Sequence, residues 1–125
     1  MPKVLLVDDS AVMRKIIQRN LKESGLVIDE FLEASDGKQA LDVVNKSAVD
    51  LILCDWNMPN MSGIEFVKTL RSLNMPKKIP IVMVTTEGSD AKMAEAKESG
   101  ADGYLTKPFT ADQLRDALGG FLLVQ

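Results

Sequence analysis

Short apolar runs punctuate the chain at residues 4–7, 51–54 and 81–84, with a weaker run over 28–32 and a last one over Gly103–Thr106. Each is the length of a strand, and most are unbroken instead of alternating, which suits strands covered on both faces. Their starts lie roughly 22 to 30 residues apart, the length of a strand plus its crossover helix, so they imply a parallel sheet. A chain of 125 residues is too short for a (β/α)8 barrel, which needs about twice that. The spacing therefore predicts an α/β fold, a (βα)5 doubly wound parallel sheet of five strands in one domain spanning residues 1–125.

The intervening segments read as helices. The first carries Val12, Met13, Ile16, Ile17 and Leu21, and Gly25 stands where a left-handed residue would stop it. A second is expected over residues 38–45 with Leu41 and Val44 inward, and a third over 64–73 with Ile64, Val67 and Leu70 inward. The apolar residues of the fourth, over 91–99, are alanine and methionine, so its grip on the sheet should be the weakest. In the last, Leu114, Ala117, Leu118, Phe121 and Leu122 share one helical face, with residues 121–124 read as its final buried turn.

Doubly wound sheets place their sites beyond the carboxyl ends of the strands. Asp8 and Asp9 follow the first run directly, Asp55 the third, Thr85 the fourth and Lys107 the fifth. With strands one and three adjacent, the three carboxylates converge, and they would raise one another's pKa unless a cation is present. Oxygen donors without nitrogen or sulfur point to Mg2+. A lysine and a hydroxyl beside such an ion suit an oxyanion such as phosphoryl, and a carboxylate there can act as nucleophile toward phosphorus.

Composition narrows the chemistry further. The chain has no histidine, which removes imidazole bases, Ser-His pairs and His-ligated zinc, and its single cysteine removes disulfides. With a net charge of -3 and no basic stripe, nucleic acid is not an expected partner. No stretch suits a secretory signal or a membrane span, so the expectation is a reduced, cytoplasmic protein without membrane association.

The stretches Val7-Asp8-Asp9-Ser10 and Asp55-Trp56-Asn57-Met58-Pro59-Asn60-Met61-Ser62-Gly63, Thr85 after Ile81-Val82-Met83-Val84, and Lys107-Pro108-Phe109 together resemble response-regulator receiver domains. The likeness is greatest to the single-domain chemotaxis regulators and extends from Lys3 to about Leu122. It implies the flavodoxin-like strand order 2-1-3-4-5. It also implies that Asp55 accepts the phosphoryl group, and that Asp9, Asp55 and the Asn57 carbonyl ligate Mg2+, with Asp8 acting through water. Thr85 and Lys107 would hold phosphoryl oxygens, Tyr104 would be the aromatic switch, and the Lys107–Pro108 bond would be cis. Asn57 and Glu87 occupy the positions that tune phosphoryl lifetime in the family.

The resemblance further implies a monomeric signalling phosphoacceptor, which is not an enzyme in the ordinary sense but assists its own phosphorylation and dephosphorylation. Its donor would be a histidine kinase, necessarily another chain, and its output a protein target contacted through helix four, strand five and helix five, with the flagellar motor switch as the leading case. A phosphate sink, or a relay receiver with a non-flagellar target, is the alternative. Ser62 stands where many relatives have Asp or Asn, and Gly88-Ser89-Asp90 where chemotaxis regulators often carry a basic residue; both bear on the partner. A flavodoxin-type binder would need a glycine- and hydroxyl-rich loop after strand one, where this chain has Asp8-Asp9-Ser10-Ala11-Val12. A hydrolase with an aspartyl nucleophile would place Asp-x-Asp there. Cys54 reads as a small core residue, and Trp56 as a half-buried loop aromatic.

Overall fold

The computed structural model describes residues 2–73, 75, 78–86 and 89–122. Glu87 and the tail residues Leu123 and Val124 lie outside the described residues. Strand and helix alternate throughout: β1 (Lys3–Val7), α1 (Ala11–Glu23), β2 (Glu30–Ala34), α2 (Gly37–Lys46), β3 (Leu51–Asp55), α3 (Gly63–Ser72), β4 (Ile81–Thr85), α4 (Asp90–Ser99), β5 (Gly103–Thr106) and α5 (Ala111–Leu118). The five strands form one sheet in the order β2-β1-β3-β4-β5, with every neighbouring pair parallel.

The unbroken apolar runs have a direct physical reason. Successive strand residues point to opposite faces, and both faces are covered. Leu5, Val7, Ile52, Cys54, Ile81 and Met83 pack under α2, α3 and α4 through Ala40, Val44, Phe66, Val67, Leu70 and Ala96. Val4, Leu6, Leu51, Leu53, Val82 and Val84 pack against Ile17 and Leu21 of α1 and Leu114 and Leu118 of α5. The crossovers change face between β2 and β3, which opens the crevice between the carboxyl ends of β1 and β3.

Three expectations need correction. The second strand occupies Glu30–Ala34, two residues beyond the apolar run at 28–32. It is an edge strand whose two glutamates, Glu30 and Glu33, face solvent, so register with β1 (Lys3↔Glu30 to Val7↔Ala34) decides its position, and hydrophobicity does not. The last helix stops at Leu118; Gly119 and Gly120 make a turn, Phe121 is 38% exposed, and Leu122 returns to the core. On α1, Ile17 and Leu21 are buried, whereas Val12 and Ile16 are exposed. Gly25 does follow the helix with φ +84°, and Cys54 is fully buried. Of α4, only Ala96 is buried, as its alanine-rich composition suggested.

Each helix begins with a side chain that accepts the amide hydrogen bond of the third helical residue: Ser10, Asp36, Ser62, Ser89 and Thr110. At the opposite rim, Pro2 and Leu122 line one cleft with Asp50 and Pro80, the residues just ahead of β3 and β4. Among the described residues, no helix is long and apolar enough to cross a membrane.

Candidate functional site

Parallel pairing brings the strand ends to one rim. Val7 pairs with Cys54 and Asp55 with Val84, so the residues just past β1 stand beside the end of β3. Asp8, Asp9 and Asp55 each offer a carboxylate oxygen, and these lie within 4.8 Å of one another. Asp8 is buried, Asp55 half-buried and Asp9 exposed, so the group opens to solvent on one side. Lys107 reaches in from the end of β5 and bridges two of them: Nζ is 3.1 Å from Asp8 Oδ2 and 3.3 Å from Asp55 Oδ1.

The surrounding chain holds these groups in place. Ser10 N donates to Asp8 Oδ1 (2.9 Å), and Asp8 N donates to Ala34 O (3.1 Å). Lys107 N donates to Thr85 O at 2.6 Å, and the bond from Lys107 to Pro108 is cis. After Asp55 the chain turns sharply. Trp56 N still donates to Val84 O, as though the strand continued, while Gly63 N closes the loop onto Trp56 O at 2.8 Å. A Cβ at position 63 would collide with the Asp55 carbonyl oxygen, so the loop closes this tightly only with glycine there.

Burial pushes the Asp55 carboxyl above the usual carboxylate range; Lys107 pulls it back, and Asp8 adds repulsion. Burial also pushes the Cys54 thiol far above its ordinary value, which leaves it inert inside the sheet. Three carboxylates facing one ammonium retain excess negative charge, and every donor is a hard oxygen. That set fits a divalent cation such as Mg2+.

The remaining sequence-derived residues are distributed around this centre. Thr85 ends β4, is 2% exposed, and pairs with Thr106. Asn57 is exposed, two positions beyond Asp55. Tyr104 is outside the acidic group: it sits mid-β5, half-buried, with its ring edge-on to Trp56 at 6.3 Å between centroids. Trp56 itself is buried, not half-buried, because Lys92 of α4 covers its face with Nζ 4.5 Å from the ring centroid.

Sequence reasoning missed the parts that four residues play. Arg14, one turn into α1, donates from Nη1 to the Asp8 carbonyl and from Nε to Glu33 Oε1 (2.9 Å), tying β1 to β2. A charged residue one turn after a helix cap was the available signal. Asp36 and Asn60 join two loops that are distant in sequence, at 3.0 Å, and no local pattern announces such a pair. Nothing local distinguishes Lys92 from the other lysines of the chain.

The family model for the response regulator receiver domain matches residues 4–119. The chain is 43% identical over 117 residues to a chemotaxis protein CheY homolog of Campylobacter jejuni, covering 93% of this chain and 88% of that one. It is 41% identical to chemotaxis protein CheY1 of Helicobacter pylori, covering 93% of each. The solved structure of Vibrio cholerae chemotaxis protein CheY4 superposes with a TM-score of 0.85 at 43% identity, covering 98% of this chain and 99% of that one.

Proposed function

Since the chain belongs to the response regulator receiver family, among its CheY-type chemotaxis members, we propose that it relays a signal by accepting a phosphoryl group on Asp55 from the phosphohistidine of a partner kinase. It is a signalling protein and not a classical enzyme. The observation that carries this reading is the Lys107 ammonium seated between Asp8 and Asp55, with Asp9 alongside, at the carboxyl-end rim of the sheet.

In the transfer, an Asp55 carboxylate oxygen attacks phosphorus, the P–N bond of the donor breaks, and the leaving imidazole takes up a proton. No histidine lies within these 125 residues, so the donor imidazole comes from outside them. Asp8, Asp9, Asp55 and the Asn57 carbonyl would hold Mg2+. That ion, when bound, supplies positive charge to the phosphoryl oxygens. Lys107 shifts from bridging two carboxylates to pairing with a phosphoryl oxygen, and Thr85 donates to another. Hydrolysis by water then returns Asp55 and releases inorganic phosphate.

Drawing Thr85 toward the phosphoryl group makes room beside β4, and Tyr104, the neighbour of Met83 in register, turns inward. The surface formed by α4, β5 and α5 changes with it, and a protein target, the flagellar motor switch foremost, reads that change.

The test is the emission of Trp56, the single tryptophan, titrated with Mg2+ and then with acetyl phosphate or beryllofluoride. Saturable changes are expected at both steps, and Asp55→Asn should abolish the second together with labelling by phosphodonor. Undiminished labelling of that variant would move the acceptor elsewhere.

A further inference from the structure

The loop between β3 and α3 carries Asn57, and its geometry depends on how the stretch between its two ends is held. Both ends are pinned, by the Trp56 amide on Val84 and by the Gly63 amide on Trp56. Between them, Asn60 adopts φ 67°, a left-handed conformation that few residues other than glycine tolerate, and its Nδ2 donates to Asp36 Oδ2 at 3.0 Å. Next to it, the Met61 side chain lies over Gly37, so close that a Cβ there would meet Sδ at 2.7 Å.

Asp36 suits such an anchor. It is buried, and its other oxygen, Oδ1, accepts from Gln39 N at 2.9 Å as the N-cap of α2, so the carboxylate has a fixed orientation. These hydrogen bonds, from Gln39 first and Asn60 next, hold its carboxyl below the usual range and keep it an acceptor down to acidic pH.

We propose that Asp36 is a positioning residue for the metal site: by clasping Asn60 it holds the β3–α3 loop in the conformation that presents Asn57 to the acidic group. The inference rests on the Mg2+ reading above. Without the clasp, the metal must select the ordered loop from a wider ensemble, and its apparent affinity falls by the fraction ordered.

Two variants, set beside the parent protein, test it. Asn60→Gly keeps the left-handed conformation and removes the donor, while leaving the cap on α2 intact. The double variant Asp36→Asn with Asn60→Asp exchanges donor and acceptor at constant charge, and asparagine still caps α2. Each is titrated with Mg2+ alone by Trp56 emission, and exchange at the hydrogen-bonded loop amides of Met61 and Gly63 is followed in metal-free protein. Urea unfolding verifies that each variant is folded.

Asn60→Gly should weaken Mg2+ binding by about three- to tenfold and speed exchange at both amides. The exchanged pair should return both readouts to within about twofold of the parent. Parent-like Mg2+ affinity in Asn60→Gly, or failure of the exchanged pair to recover, would overturn the clasp. A parent protein that itself ignores Mg2+ would overturn the metal reading and the clasp with it, so the two failures are told apart by the parent titration.

Discussion

Asp55 is half-buried beside Asp8, and Lys107 only partly offsets the cost of desolvating its charge, so its carboxyl titrates above the usual range. A carboxyl whose folded-state pKa is raised binds its proton more tightly when folded, so stability falls as pH rises from the unfolded value through the folded one. The penalty is absent in strong acid and complete at neutral pH. Asp55→Asn should therefore raise the urea midpoint of metal-free protein in EDTA at pH 7, and the gain should shrink as the pH is lowered through the carboxylate range. Lys107 acts in the opposite sense on cations. Lys107→Met removes the ammonium that competes for Asp8 and Asp55, so Mg2+ should bind more tightly by emission titration, while phosphorylation by acetyl phosphate slows at least about tenfold for want of a partner to the phosphoryl oxygens. Among these residues, Asp8, Asp9, Asp55, Thr85 and Lys107 were legible because each directly follows an apolar run. Trp56 was not, because its cover is a lysine from a helix distant in the chain.

At the scale of elements, α3 and α4 behave differently for reasons visible in their contacts. The start of α3 is locked by a reciprocal cap between Ser62 and Glu65 and by the contact of Gly63 with the Asp55 carbonyl. Gly63→Ala should cost about 1–3 kcal/mol in urea unfolding, because the new methyl group has to displace backbone at the end of β3. By contrast, α4 buries only Ala96; Lys92 on Trp56 tethers it near one end, and Arg71 Nε on the Gly100 carbonyl (3.0 Å) at the other. Amide exchange should be faster in α4 than in the other four helices, and slow exchange there would contradict the account of how it is held. The existence of the other four helices was readable from helical apolar spacing and that of α4 from its composition, whereas two boundaries were not. β2 is placed by register with β1, and α5 is cut short by the glycine pair after Leu118.

For the molecule as a whole, binding at the rim is linked to folding. Because the acidic group exists only when β1 and β3 are adjacent, Mg2+ should stabilise the native state by about 2.7 kcal/mol at a hundred times its Kd, read as a higher melting temperature than in EDTA. An unchanged melting temperature would mean that the cation does not prefer the folded chain. The parallel, doubly covered architecture followed from the apolar runs alone. The order 2-1-3-4-5 did not, since crossover length does not say on which side a new strand is added, and it came from resemblance. The cleft shared by Pro2 and Leu122 lies at the amino ends of the strands, across the sheet from the acids. A bead, fluorophore or sensor chip attached beside that cleft, at Pro2 or Leu122, would thus hold the molecule by its back, leaving the acidic rim facing outward for single-molecule and surface-based recording.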